Sequence, residues 1–118
     1  MEKVEKIVAQ GLLYDFYGEL LTKHQREVYE DLVYNDMSLS EIAEEYGISK
    51  QGVHDLIKRC TKILEGYEDK LHMVARFEEI RSRTNEIKQI LIQQEESDFE
   101  EKDKIISLTD SIMEQLIR

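Results

Sequence analysis

The sequence predicts an all-α protein, on three observations. Its 118 residues contain no proline and no tryptophan. At average usage roughly six prolines would stand in a chain of this length, and proline is the commonest helix breaker. Apolar residues recur at spacings of three and four along most of the chain. Two capping boxes, Thr22 with Gln25 and Ser38 with Glu41, mark points where helices begin.

The first helix is expected from about Val4 to Leu21, with Ile7, Val8, Gly11, Leu12 and Phe16 close to one stripe. The Thr22 cap separates it from a second helix, Lys23 to Tyr34, whose apolar face is Val28, Tyr29 and Leu32. The polar stretch "YNDM" breaks that helix. Ser38 opens a short third helix to about Tyr46. Gly47 then supplies the left-handed backbone of a tight turn, where a Cβ would be strained. Ser49 caps a fourth helix, Lys50 to about Leu64, with Gly66 as its frayed end.

The pattern changes near Leu71. Met73, Phe77, Ile80, Thr84, Ile87 and Leu91 alternate spacings of four and three, which is a heptad seam. Residues 95–103 hold six carboxylates against Lys102 and read as a solvated hinge. The closing helix puts Ile105, Leu108, Ile112 and Leu116 on one stripe, with Ile106, Met113 and Ile117 alongside and Ser97 with Glu100 as its cap. The expected organisation is a helix-turn-helix domain over 1–68, then a long helix and a C-terminal amphipathic helix over 69–118, forming a helical hairpin or coiled coil. The seam suits packing within the chain or against a second chain. A domain this small gains burial by pairing, so a homodimer is expected.

Two short helices that cross closely need small and apolar residues at fixed offsets. Here Ala43 sits at the crossing and Gly47 follows four residues later in the turn. Val53 and Leu56 form the buried face of the second helix, with Ile42, Ile48, Ile57 and Cys60 around them. The outward positions of that helix are then Lys50, Gln51, His54, Asp55, Lys58, Arg59 and Lys62. At the start of a recognition helix, Lys50, Gln51 and His54 would meet base edges. Lys58, Arg59 and Lys62 would meet phosphates. This helix carries four basic residues against Asp55 in a chain whose formal net charge is -10. Such concentration is the footprint of a nucleic-acid contact. The acidic remainder would weaken non-specific binding to DNA, so docking on RNA or on protein stands beside duplex reading.

Little points to catalysis. His24, His54 and His72 lie far apart and Cys60 is the only thiol, so no zinc-type cluster is legible. Neither a glycine-rich phosphate loop nor a nucleophile elbow occurs, and no enzyme activity, cofactor or metal is expected. Tyr14, Phe16 and Tyr17, at helical spacing among leucines, read as core more readily than as a base-stacking platform. The charged start "MEKVEKIVAQ" lacks the apolar core of a signal peptide, and no stretch approaches the ~20 apolar residues of a membrane span. A soluble cytoplasmic protein is expected.

The stretch from Tyr14 to about Leu91 resembles the YlxM-like helix-turn-helix proteins of Gram-positive bacteria, most specifically in "DFYGELLT", "LSEIAEEYGIS" and "QGVHDLIKR". The resemblance implies a fold like the sigma-factor domain that reads the upstream promoter element. It also implies a regulatory role tied to the signal recognition particle, because the family's genes typically lie beside those for the particle's GTPase and receptor. Partners implied are duplex DNA or the particle's RNA, and its GTPase. The start of the fourth helix departs from the sigma pattern: Gly52 and Asp55 stand where long polar or basic side chains usually reach DNA.

Overall fold

The computed structural model describes residues 2–93 and 99–117. The protein is all-α, with no strand among the described residues. α1 spans Glu2–Tyr17 and ends in a 3₁₀ turn, Gly18–Leu20. α2 spans Lys23–Val33, α3 Leu39–Tyr46, α4 Lys50–Leu71, α5 Met73–Gln93 and α6 Phe99–Ile117. They form two compact units, one ending at His72 and one beginning at Met73.

Both capping boxes form. Thr22 Oγ1 accepts from Gln25 N at 3.3 Å while Gln25 Oε1 accepts from Thr22 N at 3.0 Å. The Ser38 and Glu41 pair repeats this at 3.1 Å in both directions. Gly47 takes φ +66°, and the N–H of Ile48 closes back on the Ala43 carbonyl at 3.1 Å. The Gly47 N–H is directed at the same Ala43 carbonyl, so two donors close the end of α3 on one acceptor.

Six side chains of the first unit are wholly buried: Val28, Tyr29, Ile42, Val53, Cys60 and Leu64. Around them tyrosines bridge helices. Tyr14 donates to Glu30, Tyr34 to Asp15, Tyr46 to Asp31 and Tyr17 to Glu68. Tyr14 and Tyr17 bring large apolar rings inside while their hydroxyls find acceptors; Tyr46 is half-buried and Tyr34 exposed. Gly18 is required by this packing, since a Cβ there would stand 2.6 Å from the Tyr14 ring.

Four expectations are corrected here. In α1 the inward positions are Gln10, Tyr14 and Tyr17, whereas Ile7 and Val8 face outward, Val8 at 64% exposure. Apolar residues are spread round this helix, and the interhelical phenol bonds select its face. Ile48 is exposed and Leu56 is half-buried, the inward row of α4 being Val53, Ile57, Cys60 and Leu64. α4 does not fray at Gly66 but runs to Leu71 and stops at His72, which takes φ +56°. In α6 the stripe Ile105, Leu108 and Ile112 is exposed, and the inward positions are Ile106, Thr109, Met113 and Leu116.

The second unit pairs α5 with α6. Phe77 and Thr84 are buried on α5 and Thr109 on α6. In the heptad seam Ile87 turns outward while Lys88 turns inward and pairs with Asp110. An α-helix drifts ~20° per heptad, enough to exchange neighbours at the seam's far end. The expected cap of α6, Ser97 with Glu100, lies in part outside the described residues.

Candidate nucleic-acid interface

α4 starts at a capped end. Ser49 Oγ accepts the Gly52 N–H at 2.9 Å, so that amide is spent on the cap. Its inward row follows spacings of four, three and four, one face of a 3.6-residue helix. Behind it, Thr61 joins three helices. Its hydroxyl donates to the Ile57 carbonyl (2.9 Å) and accepts from the Tyr29 phenol (2.8 Å) and from Gln10 Nε2 (3.4 Å). Burial pushes the Tyr29 phenol up to about 12, so it stays a donor. These bonds fix the rotation of α4 about its axis, and with it the residues it shows to solvent.

All six residues singled out in the sequence, Lys50, Gln51, His54, Lys58, Arg59 and Lys62, are exposed. The structure gathers only some of them. His54, Lys58 and Lys62 line a groove of about 400 Å³ between α1 and α4, with Lys6 and Gln10 on the opposite wall and Ile57 and Thr61 at its floor. Lys50 and His54 line an adjoining groove of about 500 Å³ that runs toward α2 and α3 over Ile7, Leu32, Met37 and Leu39. Gln51 and Arg59 line neither. Arg59 follows Lys58 by one residue, so it projects about 100° further round the helix.

The sequence reading missed Lys6 and Gln10. They lie i, i+4 apart and so share one face of the first helix, but that spacing does not say that α4 stands opposite.

Electrostatics on this face are mixed. Lys6, Lys58 and Lys62 converge on the groove, and Glu65 closes one end. Asp55 engages both neighbouring candidates for base contact: Gln51 Nε2 donates to its Oδ1 at 3.0 Å, and His54 Nδ1 stands 3.7 Å from the same oxygen. Cys60 is buried and its thiol is pushed up by that burial, which leaves it an unreactive core side chain. Among the described residues no group of three or more His, Cys, Asp or Glu could hold a metal ion. No described helix is long and apolar enough to cross a membrane.

A capped, exposed, basic helix behind a glycine turn is the arrangement of a helix-turn-helix protein, and comparison with known families agrees. Residues 4–106 match the family described as "Putative helix-turn-helix protein, YlxM / p13 like". The chain belongs to this family, UPF0122. A UPF0122 protein of Bacillus thuringiensis (strain Al Hakam) is 42% identical over 110 residues, covering 92% of this chain and 98% of that one. One from Bacillus mycoides (strain KBAB4) is 44% identical over 100 residues, covering 84% and 90%. The match to a UPF0122 protein of Thermoanaerobacter sp. (strain X514) reaches 52% identity over 77 residues, 65% of this chain and 66% of that one.

Proposed function

We propose that this protein is a nucleic-acid-binding regulator that holds a phosphate backbone along α4. The observation that carries the reading is the convergence of Lys6, Lys58 and Lys62 on one groove of a chain whose net charge is -10. Basic side chains gathered on one face release counterions from a polyanion, the main source of sequence-independent affinity. Lys58, Arg59 and Lys62 contact phosphates, while Lys50, Gln51 and His54 stand nearest the bases. The scaffold is read as sigma-like, the protein as a homodimer and not an enzyme. Its place in the signal recognition particle pathway rests on the family's usual gene neighbourhood.

A second reading has its own observation. Asp55 holds the Gln51 amide, and the groove's floor is apolar, so the start of α4 is poor in free donors for base edges. Structured RNA, recognised by shape and phosphates, tolerates such a helix better than a major groove does. In this reading the protein is an adaptor on the particle's RNA or GTPase.

Fluorescence anisotropy of the purified protein with a random duplex pool and with the signal recognition particle RNA, across salt, separates the two. Lys58→Glu is expected to weaken binding to every sequence alike and to lower the salt slope by about one, the value for one phosphate contact. Unchanged affinity in that variant would remove α4 from the interface. Binding to the RNA alone would favour the adaptor.

A further inference from the structure

The two grooves against α4 are one feature. They share Lys6, Gln10, His54 and Ile57, so the first continues into the second. Along α4 the joined groove runs from Lys50 to Glu65, about 22 Å at the rise of an α-helix. Its floor is aliphatic. Ile57 is buried, Leu32, Met37 and Leu39 are half-buried, and Ile7 is 37% exposed on the α1 wall. Among the described residues no Phe or Tyr lines either groove.

The rim is cationic. Lys50, His54, Lys58 and Lys62 follow one another at intervals of four, which sets them on a single ridge of α4 at a rise of about 6 Å each. Lys6 faces them from α1. Up to His72 the chain has nine Lys and Arg and fifteen Asp and Glu. Four of those cations line the joined groove against three of the carboxylates, so a positive strip crosses an acidic unit. The three are Asp36 and Glu41 on the α2–α3 side and Glu65 at the far end. Gln10 lines both grooves, is 6% exposed and gives one amide hydrogen to Thr61 Oγ1 at 3.4 Å. A carboxamide has two donors and two acceptor sites, so capacity is left there for an occupant.

We propose that this groove docks an acidic amphipathic helix of a partner protein. Apolar side chains at i, i+3 or i+4, and i+7 of that helix enter the floor. Carboxylates spaced by four on its flank meet Lys50, Lys58 and Lys62, with Lys6 closing from α1. Three observations choose this occupant. An aliphatic floor takes leucine-like side chains, whereas a single strand of nucleic acid is held by rings on which its bases stack. The walls are helices, so an extended peptide finds no strand edge to pair with among the described residues. Asp36, Glu41 and Glu65 interrupt the strip. They repel a continuous phosphate backbone, while a helix can set a basic side chain against each. The inference goes beyond the nucleic-acid reading and stands without it. Where both hold, the two ligands exclude one another, because they use the same lysines.

Titration of the isotope-labelled full chain, followed by amide NMR shifts, is the test. The probe is a capped synthetic helix of about 15 residues with leucine at i, i+4, i+7 and i+11 and glutamate on both flanks. A charge-reversed twin carries lysine for glutamate, and oligothymidylate of similar length stands for nucleic acid. The acidic probe is expected to bind at micromolar concentration and to move the amides of Ile7, Leu32, Leu39 and Ile57. The twin is expected to bind ~10-fold more weakly or worse. Leu39→Glu is expected to weaken the acidic probe by ~10-fold or more, and Val8→Glu, outside the groove, to leave it unchanged. Glutamate suits the first turn of a helix, so α3 keeps its start. Should Leu39→Glu lose helical circular dichroism, Ile7→Ser replaces it with the same expectation. Shifts confined to Lys50, Lys58 and Lys62, with the floor unmoved, would reduce the contact to ion pairing and overturn the proposal. It is equally overturned by oligothymidylate that moves the floor amides as much as the acidic probe does, or by a floor that stays still at millimolar probe. Duplex and RNA anisotropy tests the nucleic-acid reading separately.

Discussion

The two units spend their apolar residues in opposite ways. The first, up to His72, holds the six largest fully buried side chains among the described residues and all six of the chain's tyrosines, four of which donate to carboxylates on neighbouring helices. The second has Phe77, Thr84 and Thr109 as its buried residues among those described, and leaves a row of isoleucines and a leucine exposed. One closed core and one open face teach different lessons. A helical module built from short elements is held by interhelical polar clamps round a dense centre, and its exposed face is charged. A two-helix hairpin of this length buries few side chains and leaves several apolar ones in solvent.

The largest effect that would test this contrast is core truncation. Leu64→Ala removes a wholly buried side chain of α4 and is expected to cost about 2–5 kcal/mol in urea unfolding, as buried leucines do. Leu108→Ala, on the open face, is expected to cost within about 0.5 kcal/mol at high dilution, as exposed positions do. Equal costs for the two would erase the distinction between the units.

A second experiment uses the tyrosines, which all lie before residue 73. Burial pushes the Tyr29 phenol up to about 12, and Tyr46 is raised to about 12 by burial and by its bond to Asp31. Tyr14 and Tyr34 are raised further, through burial and their carboxylate acceptors. A phenol whose folded pKa exceeds its unfolded value of about 10 binds its proton longer in the folded state. Its contribution is complete below pH 10 and is lost as pH rises toward 12. For Tyr29 alone, wholly buried, the loss is on the order of 1–3 kcal/mol. Circular dichroism followed with phenolate absorbance should show the first unit losing helix between pH 10 and 12, with cooperative phenolate release. Gradual release with no loss of helix would mean the phenols are not clamped.

Much of the first unit was legible because its signals are local. Capping boxes, the glycine turn and the outward basic positions of α4 depend on residues three or four apart, and the structure bears those elements out. The face of α1 was not legible. Val4, Ile7, Val8, Leu12 and Phe16 compete for one stripe, and the choice is made by acceptors on α2 and α4, distant in sequence. Gly66 failed as a stop because a glycine weakens a helix by only ~1 kcal/mol relative to alanine, less than packing on both sides supplies. In α6 two apolar rows lie side by side, and periodicity cannot say which one meets the neighbour. Lys6 was missed for a related reason: a groove is made by two helices, and the sequence shows one helix at a time.

The smallest effect expected is that of Asp55→Ala. Asp55 lies among the candidate base contacts, holding Gln51 Nε2 at 3.0 Å with His54 Nδ1 at 3.7 Å. Both side chains of the latter pair are more than half exposed, so the pair contributes little to stability and its removal should leave unfolding nearly unchanged. Its weight falls on ligands. Asp55 sets a negative charge where a phosphate or base edge would approach, and it occupies a donor that adenine would otherwise use. Replacing it should raise nucleic-acid affinity about two- to five-fold at low salt, equivalent to about 0.4–1 kcal/mol, with the gain shrinking as salt screens the charge. A gain for duplex DNA alone would mark Asp55 as the residue that holds this helix back from the major groove. A gain for RNA and duplex alike would reduce its role to charge.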